Sequence, residues 1–353
     1  MSNIWDKIAL HFKQNLPFVI YAKPNSDHLI GYFQHNNELY QTESLNEKGF
    51  VFADFEGNNT IVFRDKDCEM IKETLNEETF SHLQNSGEIS LEGKKEFESL
   101  VQKSIQAIEG GQFQKVVVSR KESLGKNNFD WKNTFQKLLK TYSSAFRYCW
   151  FHPEIGMWMG ATPEQLLKVE NSNFKTVALA GTQKYNPAEE VVWAEKEQQE
   201  QQFVTDFILK SLASEVISLN QTKPYTFQAG NLVHLKTDIE GHFKPDFNLK
   251  KVLEVLHPTP AVCGLPKLDA KAFILAHEGY ERKFYSGFLG ELNKNAAENR
   301  EGDSDLFVNL RCMEIQQNDI HLYIGCGITK DSNPEKEYLE TANKAMTMKQ
   351  ILN

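Results

Sequence analysis

The scarcities of this 353-residue sequence do the first sorting. Cysteine is sparse: Cys68, Cys149, Cys263, Cys312 and Cys326 are odd in number, scattered and never spaced as CxxC, which argues against a disulfide framework and a cysteine-built zinc site. These thiols are expected to be reduced and mostly buried. No apolar run approaches the ~18–20 residues of a membrane helix. The N-terminal MSNIWDKIALHFKQ lacks the uninterrupted apolar stretch of a signal peptide and reads as an amphipathic helix with Trp5, Ile8 and Phe12 on one face. A soluble, cytoplasmic protein with no membrane partner is expected. Basic clusters interleaved with aromatics are missing too, and 39 Lys+Arg against 48 Asp+Glu leave a formal net charge of −9, which disfavours nucleic acid as a partner. Internal repeats and low-complexity tracts are absent.

What is present suits a globular core, with 24 Phe and 11 Tyr to fill it. Between residues 17 and 64 the short apolar segments PFVIYA, LIGYF, FVFADF and TIVFR, separated by turn-formers, predict a β-meander. After a polar stretch to about residue 92, Phe97, Leu100, Val101, Ile105 and Ile108 recur at helical spacing until Gly110-Gly111. A strand (QKVVVSR), a helix opened by Asp130 and four strands (FRYCWF, GMWMG, LLKVE, FKTVALAG) follow. The longest helical pattern runs from about 188 to 217, and another helix is expected near 267–278. A hairpin of LFVNLRCMEI and DIHLYIG joined at Gln317-Asn318 precedes a last helix opened by Asn333-Pro334, while 293–305 reads as a surface loop. Strands and helices do not alternate regularly, which favours α+β over a doubly wound sheet. The simplest parse is one domain, with residues 1–93 as its variable, β-rich N-terminal portion and 94–353 as its catalytic portion.

Several polar residues stand where patterning expects apolar ones. On the long helix the stripe Val204, Ile208, Leu212 and Val216 extends backwards through Glu200 and Glu197. Periodicity alone favours two solvated acids there; the alternative is an i, i+3 carboxylate pair suited to a hard divalent cation. In the last helix Glu337, Glu340 and Lys344 share a face, where Glu340 and Lys344 make an ordinary i, i+4 pair. Lys115 opens an apolar strand, which is the usual place of a solvated gatekeeper but, if desolvated, of a general base. Glu164 follows Pro163 and either favours a helix start or, in an enclosed cleft, keeps its proton. Arg311 interrupts LFVNLRCMEI, so a buried salt bridge and an anionic ligand are both open. Gly325-Cys326-Gly327 permits close backbone approach but lacks the third glycine of a dinucleotide fingerprint.

Taken in order, QKVVVSR (114–120), GATPEQLL (160–167), TVALAGT (176–182), AEKEQQEQQFVTD (194–206), LHPTPAVCGLP (256–266), ERKFYSGFLG (281–290), YIGCGI (323–328) and NPEKEYLETANK (333–344) resemble the chorismate-utilising enzymes. That family includes isochorismate, salicylate, anthranilate and aminodeoxychorismate synthases. The resemblance implies two packed antiparallel sheets with helices on their outer faces and a deep cleft for chorismate and Mg2+. It implies Glu200 and Glu340 as direct metal ligands, with Glu197 and Glu337 supporting the ion nearby. Arg311 and Tyr285 match the residues that hold the enolpyruvyl carboxylate, and Gly181, Thr182, His257, Gly325, Gly327 and Lys344 match other cleft positions. A lysine at Lys115 is the mark of members that add water, so the implied activity is isochorismate synthase, an isomerase. Water attacks ring carbon 2 with Lys115 as base, and the carbon-4 hydroxyl leaves with a proton from Glu164. This requires a substantially neutral Lys115 and a substantially protonated Glu164 at working pH.

Two positions depart from the family pattern: Gln201 stands where many relatives carry His, and Thr162 where Ser is common. The nearest rival is a salicylate synthase, which eliminates pyruvate from the isochorismate it makes. Amine-adding synthases and a catalytically silent chorismate-binding module rank lower, because Lys115 and all the acids are present. Menaquinone and siderophore synthesis both use isochorismate, with menaquinone preferred here. No obligate protein partner is implied, and a monomer is compatible with the sequence.

Overall fold

The computed structural model describes residues 3–75, 90–125, 129–229, 232–316 and 319–352. Two large antiparallel sheets form the body. In spatial order the first joins Gly264–Leu265, Lys115–Gly125, Asp319–Ile328, Cys312–Ile315, Gly156–Thr162, Phe146–His152, Phe18–Ala22, His28–Gln34 and Cys68–Thr74. The second joins Val216–Gln221, Leu232–Phe243, Asn173–Lys184, Gln165–Glu170, Ser304–Val308, Phe288–Leu292, Gly49–Ala53 and Thr60–Arg64, with Tyr225–Ala229 also paired to Leu232–Phe243. The α+β class expected from the sequence is therefore the architecture observed. Segments of the N-terminal portion are integral to both sheets: Phe18–Ala22 lies against Phe146–His152, and Gly49–Ala53 against Phe288–Leu292.

Aromatic side chains fill the space between the sheets. Tyr21, Tyr148, Trp150 and Trp158 of the first sheet meet Phe50, Phe52, Phe63 and Phe307 of the second, with Phe146 stacked on Phe307 at 4.4 Å between ring centroids. Seven α-helices, numbered in chain order, are found among the described residues: α1 (Ile4–Gln14), α2 (Lys94–Glu109), α3 (Trp131–Thr141), α4 (Glu195–Leu212), α5 (Leu249–Leu256), α6 (Lys267–His277) and α7 (Pro334–Leu352). α1, α3 and the C-terminal half of α7 bury their apolar stripes on the outer face of the first sheet, and α4 and α5 cover the second. Both faces of most strands are thus dry, which is why FVIYA and GFVFA read as unbroken apolar runs and are buried throughout. Among the described residues no helix is long and apolar enough to cross a membrane.

Four expectations need correction. α4 starts at Glu195 and ends at Leu212, because Val216–Gln221 pairs with Leu232–Phe243 instead of continuing the helix. α1 buries Ile4, Ile8 and His11, leaving Phe12 exposed. Residues 293–305 are not a plain surface loop: Lys294–Asn295 pairs with Arg300–Glu301, and Lys294 is buried against Asp65 and Asn299. Finally, LFVNLRCMEI is not one strand. Ser304–Val308 belongs to the second sheet and Cys312–Ile315 to the first, and Arg311 sits in the crossing between them with φ of 48°. Buried Asn309 fastens that crossing, accepting from Tyr148 Oη at 2.7 Å and donating to Phe284 O at 2.9 Å. The turn expected at Gln317-Asn318 lies outside the described residues.

Candidate active site

The crossing at Arg311 opens onto a cleft lined by charged and polar side chains, among them Glu164, Glu200, Arg311, Glu340 and Lys344. Elements distant in the chain converge on it. Asp319–Ile328 supplies Gly325 and Gly327, α4 supplies Glu200, α7 supplies Glu340 and Lys344, and the segments after Gly156–Thr162 and α6 supply Glu164 and Tyr285. Gly181 and Thr182 come from a bulge in Asn173–Lys184, where the register against Leu232–Phe243 shifts between Ala180 and Gln183. Such a bulge turns a side chain or carbonyl out of the ladder. Gly181 takes φ of 71° there, and a Cβ on it would meet Glu197 Cβ at 3.1 Å.

Lys115 lies just beneath the cleft floor, fully buried, with Nζ 2.9 Å from Glu200 Oε1. Gly327 makes room for this pair: a Cβ there would fall 2.0 Å from Glu200 Oε1 and 3.1 Å from Lys115 Cε. Burial pushes the Glu200 carboxyl up, but Lys115, Lys196 and Lys344 overcome it and hold it below its usual value. Glu164 in the cleft lining is also buried, and burial raises its pKa to about 7 against the pull of Arg311, Lys115 and Lys344. Its backbone is fixed by Thr162, whose hydroxyl donates to Val308 O at 2.6 Å and accepts from Glu164 N at 3.3 Å. Arg311 has no carboxylate in ion-pair contact among the described residues. Burial lowers its proton affinity, while Tyr285, Glu340 and Glu164 act in the opposite direction. A guanidinium left without a partner in a cleft is ready for an anion.

The four helix acids do not yet surround a common point. Among the described residues no three Asp, Glu, His or Cys side chains meet at metal-ligand spacing. Each of three carboxylates is turned instead to a lysine: Glu200 to Lys115, Glu340 to Lys344 at 2.7 Å, and Glu337 to Lys196. The fourth, Glu197, keeps a buried Oε2 without a hydrogen-bond partner. An all-carboxylate donor set with one orphaned oxygen, and a glycine leaving space at Glu200, fits a hard divalent cation. Glu200 and Glu340 line the cleft, whereas Glu197 and Glu337 stand behind it.

Of the expected substrate-binding positions, one is absent from the cleft lining. His257 follows the end of α5, sits edge-on to Phe288 at 5.2 Å, and lines a separate depression beside Lys267 and Lys271. Its segment reaches the cleft through Ala261 and Val262 instead. The histidine that does line the cleft is His234, which the sequence reading missed. Its Nδ1 lies 2.9 Å from Gly181 O and 3.2 Å from Thr182 Oγ1, and its buried Nε2 has no partner. Burial, Arg311 and Lys344 lower its pKa to about 3, so the ring is neutral. The available signal was a lone polar ring on an inward face of the strand LVHLKTDI. Gln201 points away from the cleft, donating to Thr205 Oγ1 and Thr237 Oγ1 at 2.9 and 2.6 Å.

The profile of the family described as "Chorismate binding enzyme" matches residues 55–353. The salicylate biosynthesis isochorismate synthase of Pseudomonas aeruginosa is 28% identical over 277 residues, which is 76% of this chain and 56% of that protein. Isochorismate synthase EntC of Escherichia coli is 30% identical over 202 residues, covering 55% of this chain and 50% of that one. The aligned region thus spans about half the length of these curated relatives. A crystal structure of the 2,3-dihydroxybenzoate-specific isochorismate synthase DhbC from Bacillus anthracis superposes with a TM-score of 0.80 at 22% identity, covering 99% of both chains.

Proposed function

The chain belongs to the chorismate-binding enzyme family, and on that premise we propose that it is an isochorismate synthase, converting chorismate to isochorismate with Mg2+. The observation that carries the reading is a buried lysine, Lys115, held 2.9 Å from cleft-lining Glu200, together with a buried cleft carboxyl, Glu164, whose pKa of about 7 leaves it substantially protonated near neutrality. A base and an acid at one cleft suit addition of water at one ring carbon and loss of hydroxide at another.

In this reading Arg311 and Tyr285 hold the enolpyruvyl carboxylate, and Gly325 and Gly327 let the ring approach the strand backbone. Glu200 and Glu340, backed by Glu197 and Glu337, hold the cation. Bound by these acids, Mg2+ would supply positive charge for the ring carboxylate. Lys115 then accepts a proton from the water that attacks carbon 2. The ring double bond shifts, and the carbon-4 hydroxyl departs as water with the proton of Glu164. One water enters and one leaves, so the reaction is an isomerisation. Thr182 and His234 line the opposite wall, and Lys344, tied to Gly325 O at 3.1 Å, keeps the charge of Glu340 in place.

The deciding experiment incubates purified protein with chorismate and Mg2+, with a chelator control, and identifies products by chromatography and mass. Isochorismate alone is expected. Salicylate plus pyruvate would assign the rival synthase, and binding without turnover would assign a non-catalytic module. Retained turnover in metal-free buffer would remove the cation from the mechanism.

A further inference from the structure

The mechanism leaves one charged side chain in the acid cluster unused. Lys196 lies in the first turn of α4, between Glu195 and Glu197, where the helix dipole disfavours a cation. It nevertheless reaches across to α7, and its Nζ forms an ion pair with Glu337. Burial works against its charge, yet Glu337, Glu200 and Glu340 together hold its proton affinity above the usual lysine value.

Glu200, Glu337 and Glu340 are each already paired with a lysine, so a divalent cation that draws on these carboxylates competes with a lysine for them. Of the three lysines, Lys115 and Lys344 have side chains 0% and 10% exposed, whereas that of Lys196 is 23% exposed. Lys196 alone has a short way out to solvent.

We infer that Lys196 is an exchangeable internal counter-ion: it occupies Glu337 in the metal-free protein and releases it when the divalent cation binds. The inference rests on the reading of these acids as the cation site. Lys196 on this view touches neither substrate nor reacting atoms; it tunes how tightly the cation is held and keeps the empty acid cluster from repelling itself apart.

Two measurements on the full chain test it without assaying turnover. In the wild-type protein, acetylation of Lys196 by a water-soluble anhydride, followed by mass spectrometry, should rise several-fold on addition of Mg2+. In Lys196→Met, calorimetric titration should show Mg2+ binding roughly fivefold tighter, the loss of one competing, partly exposed ion pair. The metal-free variant should also melt lower than wild type, with the two converging at saturating Mg2+. Labelling that Mg2+ leaves unchanged or lowers, or Mg2+ binding no tighter in the variant, overturns the inference. The labelling arm holds even if the variant does not fold. A wild-type protein that takes up no Mg2+ overturns the cation-site reading along with it, whereas uptake with unaltered labelling overturns the counter-ion alone.

Discussion

Two buried ionic clusters bridge the sheets of this protein, and they are built on opposite rules. In the first, Glu291 accepts from Tyr21 Oη at 2.6 Å and pairs with Lys23 at 2.5 Å, while Lys23 also pairs with Asp305 at 3.2 Å. Asp305 takes a further hydrogen bond of 2.8 Å from Gln165. One lysine ties two acids, and neighbours add the remaining bonds. In the cleft, three acids have a lysine each, Glu164 is pushed toward neutrality, and among the described residues Glu197 has an unpartnered oxygen and Arg311 no carboxylate in ion-pair contact. One lysine shared by two acids ties the sheets together and gives rigidity; in the cleft, bonds left open give a place where ligand and cation complete the set.

The contrast can be broken most severely at Lys115. Lys115→Ala should lower kcat for isochorismate formation by about 10²–10⁴-fold, the usual worth of a positioned base, with the thermal melt little changed. Full activity in that variant would place the cleft on the same footing as the structural cluster. The converse change is Lys23→Met, which strands two buried acids. It should cost about 3 kcal/mol in urea unfolding while leaving KM for chorismate within about twofold. A large KM change would show that the two clusters are coupled.

Glu164 sharpens the contrast through pH. Its raised pKa requires activity to fall as pH rises through about 7, as the acid loses its proton. For stability, a carboxyl with folded pKa above its usual 4.5 contributes fully below 4.5 and loses that contribution as pH rises through about 7. Glu164→Gln should therefore be nearly inactive, yet melt above wild type at pH 8, with the gap shrinking toward pH 4. A wild-type rate unchanged between pH 6 and 8.5 would exclude Glu164 as the acid. The smallest effect is expected at Thr162→Ser, which keeps the hydroxyl bonded to Val308 O and should hold kcat/KM within about twofold. Thr162→Val, leaving that carbonyl unpaired, should cost about 1 kcal/mol of stability.

Local rules carried the reading of the sequence furthest where a cap and a stripe coincide. Asp130 does cap α3, donating nothing and accepting from Asn133 N, and α7 opens at Pro334 as its Asn333-Pro334 start requires. They failed where a distant partner decides. Nothing local marks Val216–Gln221 as an edge strand, because its partner 232–243 supplies the reason. The same limit separates His257 from His234: a rigid HPTP segment draws the eye, whereas a histidine within strand alternation reveals itself only when the bulge at Gly181 comes alongside. Most cleft residues were legible because their blocks resemble a known family. Lys196 lies inside one of those blocks and was still passed over, since its partner Glu337 arrives from the other end of the chain.

The interleaving of distant strands has a kinetic consequence. Phe18–Ala22 must find Phe146–His152, Gly49–Ala53 must find Phe288–Leu292, and Lys115–Gly125 must find Asp319–Ile328 before either sheet exists. Such pairings close long loops early, so folding should be slow, and neither sheet can serve as an independent folding unit. Disappearance of β-signal and of enzymatic turnover in denaturant should then trace a single curve, because the polypeptide has no way to melt one sheet and spare the cleft.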